Sequence, residues 1–109
     1  MTPEAKVKKR VTEILKRYDA YYFFPATGGY GKSGVPDIIC CYKGKFIAIE
    51  CKAGKNEPTA LQWKNLQAIQ GAGGISLVIN ERNVDDVEYG LEQILSIYNL
   101  KKVSEDEST

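Results

Sequence analysis

Two acidic side chains and one lysine have a spacing that could support metal-ion chemistry. Asp37 begins one apolar segment, and Glu50 and Lys52 lie in the next one. Successive side chains of a strand point to opposite faces, so Glu50 and Lys52 would share a face. A hairpin that turns at residues 43–44 would place Asp37 opposite Glu50. Two adjacent carboxylates repel each other, and a divalent cation with oxygen ligands would keep both ionised.

The alternative is that these side chains form only a salt bridge. Lys52 would then pair with Asp37 or Glu50, and the other acid would have no partner. The residues before Glu50 are apolar on both faces, which is typical of a buried central strand. An unpaired charge in such a strand is costly. The metal site therefore explains the pattern better than the salt bridge does.

Composition limits the class of protein. The 109 residues, of which 43% are hydrophobic, fit one domain. The sequence has no histidine, which excludes Ser-His and Cys-His catalysis and deprives a zinc site of a usual ligand. We expect Cys40, Cys41 and Cys51 to be buried free thiols. No apolar run is long enough to span a bilayer and no signal peptide is visible, which predicts a cytoplasmic protein.

Charge is distributed unevenly along the chain. Residues 1–55 carry eleven basic and five acidic side chains, whereas residues 56–109 carry four and nine. The basic half is where a polyanion such as a nucleic acid would bind. A solvated face of the first helix is the alternative, because many of the basic residues lie on that helix.

Periodicity and turn residues predict an α/β fold. The predicted elements are a helix that starts after Thr2, strands over 21–24, 35–42 and 45–53, a helix over 59–71, a strand over 75–79 and a helix containing 84–98. This order favours a mixed sheet flanked by helices. We expect the aromatic segment 21–24 to be a core strand, in preference to a base-stacking platform. Residues 1–100 would form the domain, and 101–109 a disordered charged tail.

The motif GVPD at 34–37, followed by Glu50, Cys51 and Lys52, resembles the PD-(D/E)XK nuclease signature. More narrowly, GKSGVPDIICCYKGKFIAIECKAG at 31–54 resembles a stand-alone, phage-type VRR-NUC domain, a nuclease related in fold to archaeal Holliday-junction resolvases. The resemblance extends from Glu4 to about Leu95. It implies a restriction-endonuclease-like core in the order αβββαβ, here followed by a C-terminal helix.

The resemblance also implies a ligand set for Mg²⁺ or Mn²⁺. The carboxylates of Asp37 and Glu50 and the backbone carbonyl of Cys51 would bind the metal, together with Glu4 early in the first helix. A helical wheel independently places Glu4 on the inward stripe of that helix. Alternatively, Glu4 is an acid favoured by the helix dipole.

Further site residues follow from the resemblance and from the loop before Asp37. Lys52 would be the motif lysine, and Gln62 would match the glutamine of the second helix. An ordinary buried amide is the alternative for Gln62. Three residues of the glycine-rich loop could contact phosphates, although an ordinary surface loop is the alternative; they are Tyr30, Lys32 and Ser33.

The predicted function is metal-dependent hydrolysis of DNA phosphodiester bonds, on branched DNA such as a four-way junction. One site makes one cut, so we expect a homodimer, as in the similar resolvases. The expected location is the cytoplasm of a bacterial or phage-infected cell. The alternatives are a nicking or restriction-type endonuclease, a non-catalytic DNA-binding module on the same fold, and a small interaction protein whose charges only form salt bridges.

Overall fold

The computed structural model describes residues 1–26 and 32–107. Its elements are α1 (Pro3–Arg17), β1 (Tyr21–Phe23), β2 (Ile38–Tyr42), β3 (Lys45–Cys51), α2 (Ala60–Gly71), β4 (Ile75–Ile79) and α3 (Asp85–Glu107). The strands form one sheet in the order β1-β2-β3-β4. The first three strands are antiparallel, and β4 runs parallel to β3. The predicted mixed sheet and element order are confirmed.

Local sequence signals set the start of α1. The Thr2 side chain accepts a hydrogen bond from the Ala5 amide at 3.1 Å, and Pro3 occupies the first helical position. A capping hydroxyl satisfies one of the free amides of the first turn, and proline has no amide to satisfy there. The helix buries its apolar stripe of Val7, Val11, Ile14 and Leu15.

A two-residue turn fixes the register of β2 and β3. Lys43 and Gly44 have φ angles of 49° and 81°, and positive φ at both central residues matches the right-handed twist of a hairpin. Ile38 consequently lies opposite Ile49. Continuing this register by one residue places Asp37 opposite Glu50, as predicted.

The main core lies between one face of the sheet and the helices α1 and α3. It consists of alternate strand residues and the apolar stripes of the two helices, namely Val7, Val11, Ile14, Leu15, Ile38, Cys40, Tyr42, Ile47, Ile49, Cys51, Ile79, Val84, Val87, Leu91 and Ile94. Burial of this apolar surface is the main stabilising contribution to the fold. It also leaves Asp37 and Glu50 on the opposite face of the sheet.

Helix α2 packs on that opposite face, which we call the α2 face. The Ser76 hydroxyl of β4 donates to the Leu66 carbonyl of α2 at 2.6 Å. In the middle of the helix, Asn65 donates to the carbonyls of Ser33 at 3.3 Å and Leu61 at 2.9 Å. These bonds hold α2 over β4 and beside the segment that leads to Asp37.

The other half of the α2 face, formed by β1, β2 and the start of β3, is open. Tyr21 and Phe23 are 72% and 47% exposed, and Phe24, just beyond the strand, is 49% exposed. The prediction of a core strand over 21–24 is therefore wrong for these three residues. Tyr22, which points to the opposite face, packs against the core.

Helix α3 is longer than the sequence pattern predicted. The segment predicted to be disordered is helical as far as Glu107, because extending an existing helix requires no new nucleation and Lys and Glu are good helix formers. Residues 108 and 109 lie outside the described residues. A search of the described helices for one long and apolar enough to cross a membrane found none.

Candidate functional site

A backbone hydrogen bond fixes the Asp37 carboxylate. Its Oδ2 accepts from the Cys51 amide at 2.8 Å. The pairing of β2 with β3 ends at Ile38 and Ile49, and Pro36 has no amide with which to extend it. No backbone group of β2 therefore bonds to the Cys51 amide, and the Asp37 carboxylate accepts its hydrogen bond instead. Because the amide and carbonyl of one strand residue point to the same side, the Cys51 carbonyl also faces the Asp37 side.

Glu50 is the buried acid of the site. It is only 1% exposed, and its Oε2 has no hydrogen-bond partner among the described residues. Burial, followed by the hydrogen bond and charge of neighbouring Asp37, raises the pKa of Glu50 to about 9, although Lys52 opposes this shift. Buried polar atoms normally have partners. The free oxygen beside a second carboxylate therefore marks a position suited to a cation.

Lys52 connects this pair to α1. Its backbone amide donates to the Ile79 carbonyl at 2.9 Å, and its Nζ lies 3.9 Å from Glu4 Oε1. The Lys52 side chain is 14% exposed, whereas that of Glu4 is 48% exposed. In the described part of the chain, the ion pair recorded for Lys52 is with Glu4. The salt bridge to Asp37 or Glu50, considered as the alternative, is not the pairing found.

The donor set fits a divalent cation in part. Asp37, Glu50 and the Cys51 carbonyl supply oxygen ligands of the kind that Mg²⁺ and Mn²⁺ prefer. No group of three or more cysteine, aspartate or glutamate side chains in the described ranges could hold a metal as it stands. Glu4 would have to leave Lys52 and rotate to complete the predicted ligand set. The ligand roles of these residues stay predictions.

Gln62 has a structural role that the helical wheel did not indicate. Its Oε1 accepts from the Thr59 amide at 2.8 Å, and its own amide donates to the Thr59 hydroxyl at 3.2 Å. This reciprocal pair is a capping box, which satisfies two free amides at the start of α2. The capping box explains the glutamine without catalysis, and its catalytic role stays a prediction.

The loop residues proposed to contact phosphate lie at different places. Tyr30 is outside the described residues. Lys32 and Ser33 are exposed, and the Ser33 carbonyl accepts the hydrogen bond from Asn65. Lys32 lines a groove with Phe46 and α2 residues. The structure thus places Lys32 and Ser33 on the surface, and their contact with DNA stays a prediction.

Sequence reasoning missed two residues that position the site. Gly34 has a φ of +74°, and a Cβ there would lie 2.7 Å from Leu61 Cγ and 3.0 Å from Asn65 Nδ2. Only glycine combines this backbone conformation with such close packing. Asn65 is the buried polar residue that completes the contact. The GVPD motif therefore fits against α2 through its first residue.

Burial was predicted for all three cysteine thiols, and the structure buries two of them. Cys40 and Cys51 are buried, and burial is the main cause that raises their pKa values to about 11 and about 12. Cys41 is exposed, because it lies on the open half of the α2 face. A buried protonated thiol is unreactive, so the Cys51 contribution to a site would be its backbone carbonyl.

Comparisons with known proteins agree with this architecture. The family model of the archaeal Holliday junction resolvase matches residues 20–72, a segment that includes Asp37, Glu50 and Lys52. A solved VRR_NUC domain superposes with a TM-score of 0.70 and 19% identity, over 82% of this chain and 97% of that one. A VRR_NUC domain protein gives a TM-score of 0.63 and 22% identity, over 88% and 90%. A search of curated proteins found no match.

These comparisons establish the fold class. The chain has the fold of VRR-NUC domains, with a PD-(D/E)XK-like core, and its central segment resembles archaeal Holliday-junction resolvases. The predicted resemblance is confirmed. The comparisons support the class of nuclease, and the substrate and metal requirement belong to the proposal below.

Proposed function

We propose that this protein is a divalent-metal-dependent DNA endonuclease that hydrolyses phosphodiester bonds in branched DNA. The observation that carries the proposal is the buried Glu50, whose Oε2 lacks a partner beside the fixed Asp37 carboxylate. A buried carboxylate beside a second carboxylate destabilises a protein unless a cation offsets the charge. Lys52 lies on the same face, and all three residues lie within the segment that matches the resolvase family model.

Mg²⁺ or Mn²⁺ held by Asp37, Glu50, the Cys51 carbonyl and Glu4 would polarise the scissile phosphate and promote ionisation of the attacking water. The protein's own contribution is preorganisation. The Cys51 amide fixes Asp37 in place, and burial of Glu50 keeps its Oε2 atom away from competing water. The ammonium of the largely buried Lys52 would stabilise negative charge on the phosphate oxygens.

The branched substrate and the homodimer are the finer parts of the proposal. Each chain has one candidate site, and a symmetric dimer would bring two sites to the two strands of a junction. The description of the matching family as Holliday junction resolvases favours this substrate over a nicked or sequence-specific one. A DNA substrate suits action in the cytoplasm of a bacterial or phage-infected cell. Sedimentation as a monomer alone at micromolar concentration would contradict the dimer.

The cleavage test compares duplex, flap and four-way-junction DNA with Mg²⁺ or Mn²⁺, and with EDTA. Asp37→Ala and Lys52→Ala should each lose about 10²-fold or more in rate, the usual cost of removing preorganised electrostatic groups. Lys45→Ala is the matched control, because Lys45 is an exposed lysine at the other end of β3. It should cut at a rate close to that of the wild type.

The outcomes separate the candidate functions. Cutting that persists in both site variants would disprove the proposed site. Binding of DNA without metal-dependent cutting would favour the non-catalytic module. Preference for linear duplex over the junction would favour a nicking or restriction-type enzyme.

A further inference from the structure

The open half of the α2 face carries three exposed aromatic rings. We call Tyr21, Phe23 and Phe46, with Ile39 and Cys41 between them, the aromatic face. Tyr21, Phe23 and Phe46 are 72%, 47% and 48% exposed. The Tyr21 and Phe23 rings lie 6.4 Å apart at a tilt of 60°. The aromatic face thus presents adjacent flat surfaces to solvent.

Strand register connects this surface to the carboxylates. Tyr21 pairs with Cys41, and Cys41 pairs with Phe46, so these residues form one row across three strands. The next row contains Phe23, Ile39 and Ala48.

The row after that contains Asp37 and Glu50. Rows on one face of a sheet are separated by two residues, which is about 7 Å. The aromatic rings therefore lead away from the candidate cleavage site along the same face, in two steps.

A cation beside the aromatic face favours a polyanion. Lys32 lines the groove beside Phe46. All three aromatic rings belong to the basic half of the sequence. Burial of exposed aromatic rings is favourable, and a flanking cation adds attraction for phosphate.

A second exposed apolar surface gives the contrast. Helix α3 exposes Ile97, Leu100 and Val103 near its C-terminal end. Those three side chains are aliphatic, and they lack the flat rings on which bases stack. The rings and the continuous path to the carboxylates distinguish the aromatic face from an ordinary apolar patch.

We propose that the aromatic face is a stacking site for the bases of an unpaired nucleic-acid strand that continues from the cleavage site. Exposed aromatic side chains on an open sheet stack bases in other single-strand-binding folds, without hydrogen bonds that select a sequence. An unpaired arm or displaced strand beside a branch point supplies such bases. This inference rests on the proposed DNA substrate and adds a subsite to it.

The binding test uses a fluorescently labelled oligothymidylate and a labelled duplex, in EDTA so that cutting does not interfere. Tyr21→Ala/Phe23→Ala should bind the single strand at least about tenfold more weakly than the wild type does, since each stacked base contributes measurably. Its affinity for duplex should change less than twofold. Tyr89→Ala is the matched control, because Tyr89 is 66% exposed on α3, and it should bind like the wild type.

An abasic oligomer separates stacking from charge. It keeps the phosphates and lacks the bases, so the wild type and the double variant should bind it equally. Tyr21→Phe should retain single-strand affinity, because the ring is kept. A single strand containing 5-iododeoxyuridine should photocrosslink to residues 21–24 of the wild type, a readout that does not depend on folding of a variant.

Unchanged single-strand affinity in the double variant, together with no crosslink to residues 21–24, would overturn the stacking site. Loss of single-strand affinity together with a change from dimer to monomer would assign the face to a second copy of the chain. Binding is measured without metal, so it is independent of the cleavage assay. Lys52-dependent cutting by the wild type would therefore support the proposed function even where the stacking site is disproved. If the wild type neither binds nor cuts DNA, the proposed function fails as well.

Discussion

Helix α2 covers one half of the α2 face and leaves the other half open, although strand β3 contributes residues to both. At one end of that strand Glu50 is fully buried on the half that α2 covers, and at the other end Phe46 is half exposed. Local residue type would predict the reverse, with the aromatic ring inside and the acid outside. In our proposals, the covered half holds the cleavage site and the open half binds an unpaired strand.

The difference shows two places where this fold forgoes stability. A buried acid with an unpartnered oxygen destabilises the fold, and exposed aromatic rings leave favourable burial unused. Both departures lie on one face and in adjacent rows. The opposite face, which packs against α1 and α3, has an apolar core throughout the described residues.

The largest expected effect concerns the covered half. Glu50→Gln should reduce metal-dependent cleavage by about 10²-fold or more, because it removes a charge from the site. The same change should raise the thermal stability of the metal-free protein near pH 8, since a neutral amide does not have to take up a proton on folding as Glu50 does. Cleavage assays and calorimetric melting measure the two effects. A variant that is both inactive and less stable would contradict this account of Glu50.

The pH dependence of stability comes next. Because the pKa of Glu50 is raised in the folded state to about 9, the folded protein holds a proton that the unfolded chain has lost above about pH 4.5. This stabilisation is complete below pH 4.5 and is lost as pH rises toward 9. The loss has a slope of at most about 1.4 kcal/mol per pH unit.

Denaturant unfolding of the metal-free protein from pH 5 to 9 measures this slope. Glu50→Gln is the control and should show a flatter profile. Equal slopes in the two proteins would show that Glu50 does not hold the proton.

A smaller effect tests how α2 is held over the covered half. Gly34→Ala should reduce the free energy of unfolding by about 2–4 kcal/mol, from left-handed backbone strain and the collision with Leu61. Gly44→Ala is the matched control, because its φ is +81° and a Cβ there meets nothing within 4 Å. It should cost only the backbone strain, about 1–2 kcal/mol. Equal losses would show that the α2 contact does not matter.

The smallest effect belongs to the open half. Tyr21→Ser and Phe23→Ser should each change the free energy of unfolding by no more than about 0.5 kcal/mol, because exposed residues away from the core contribute little. Chemical denaturation measures this, with the buried Ile49→Ser as a contrast that should unfold far more readily. A large loss from either aromatic substitution would place the rings in a core and oppose the stacking site.

The sequence predicted those features that depend on local signals. The turn at Lys43 and Gly44, with alternating side chains on either side, was enough to give the β2–β3 register and thus to bring Asp37 and Glu50 together. The Thr2 cap and Pro3 likewise gave the start of α1. The motif resemblance added Glu4, which the structure places beside Lys52.

Features that depend on tertiary packing could not be predicted in this way. A helical wheel turned Gln62 inward, but the wheel does not show that its side chain can return to the Thr59 amide. The exposure of Tyr21 and Phe23 depends on which strands α2 covers, and that follows from Asn65 and Gly34. None of these contacts has a periodic signal in the sequence.

The most direct test of the central claim is a calorimetric titration of Mn²⁺ into the wild type and Glu50→Gln near pH 7.5, in buffers of different ionisation enthalpy. Binding by the wild type should release a proton from Glu50, because the metal competes with that proton for the carboxylate. Glu50→Gln should bind much more weakly and release no such proton. Equal affinity and equal proton release in the two proteins would contradict a metal site at Asp37 and Glu50.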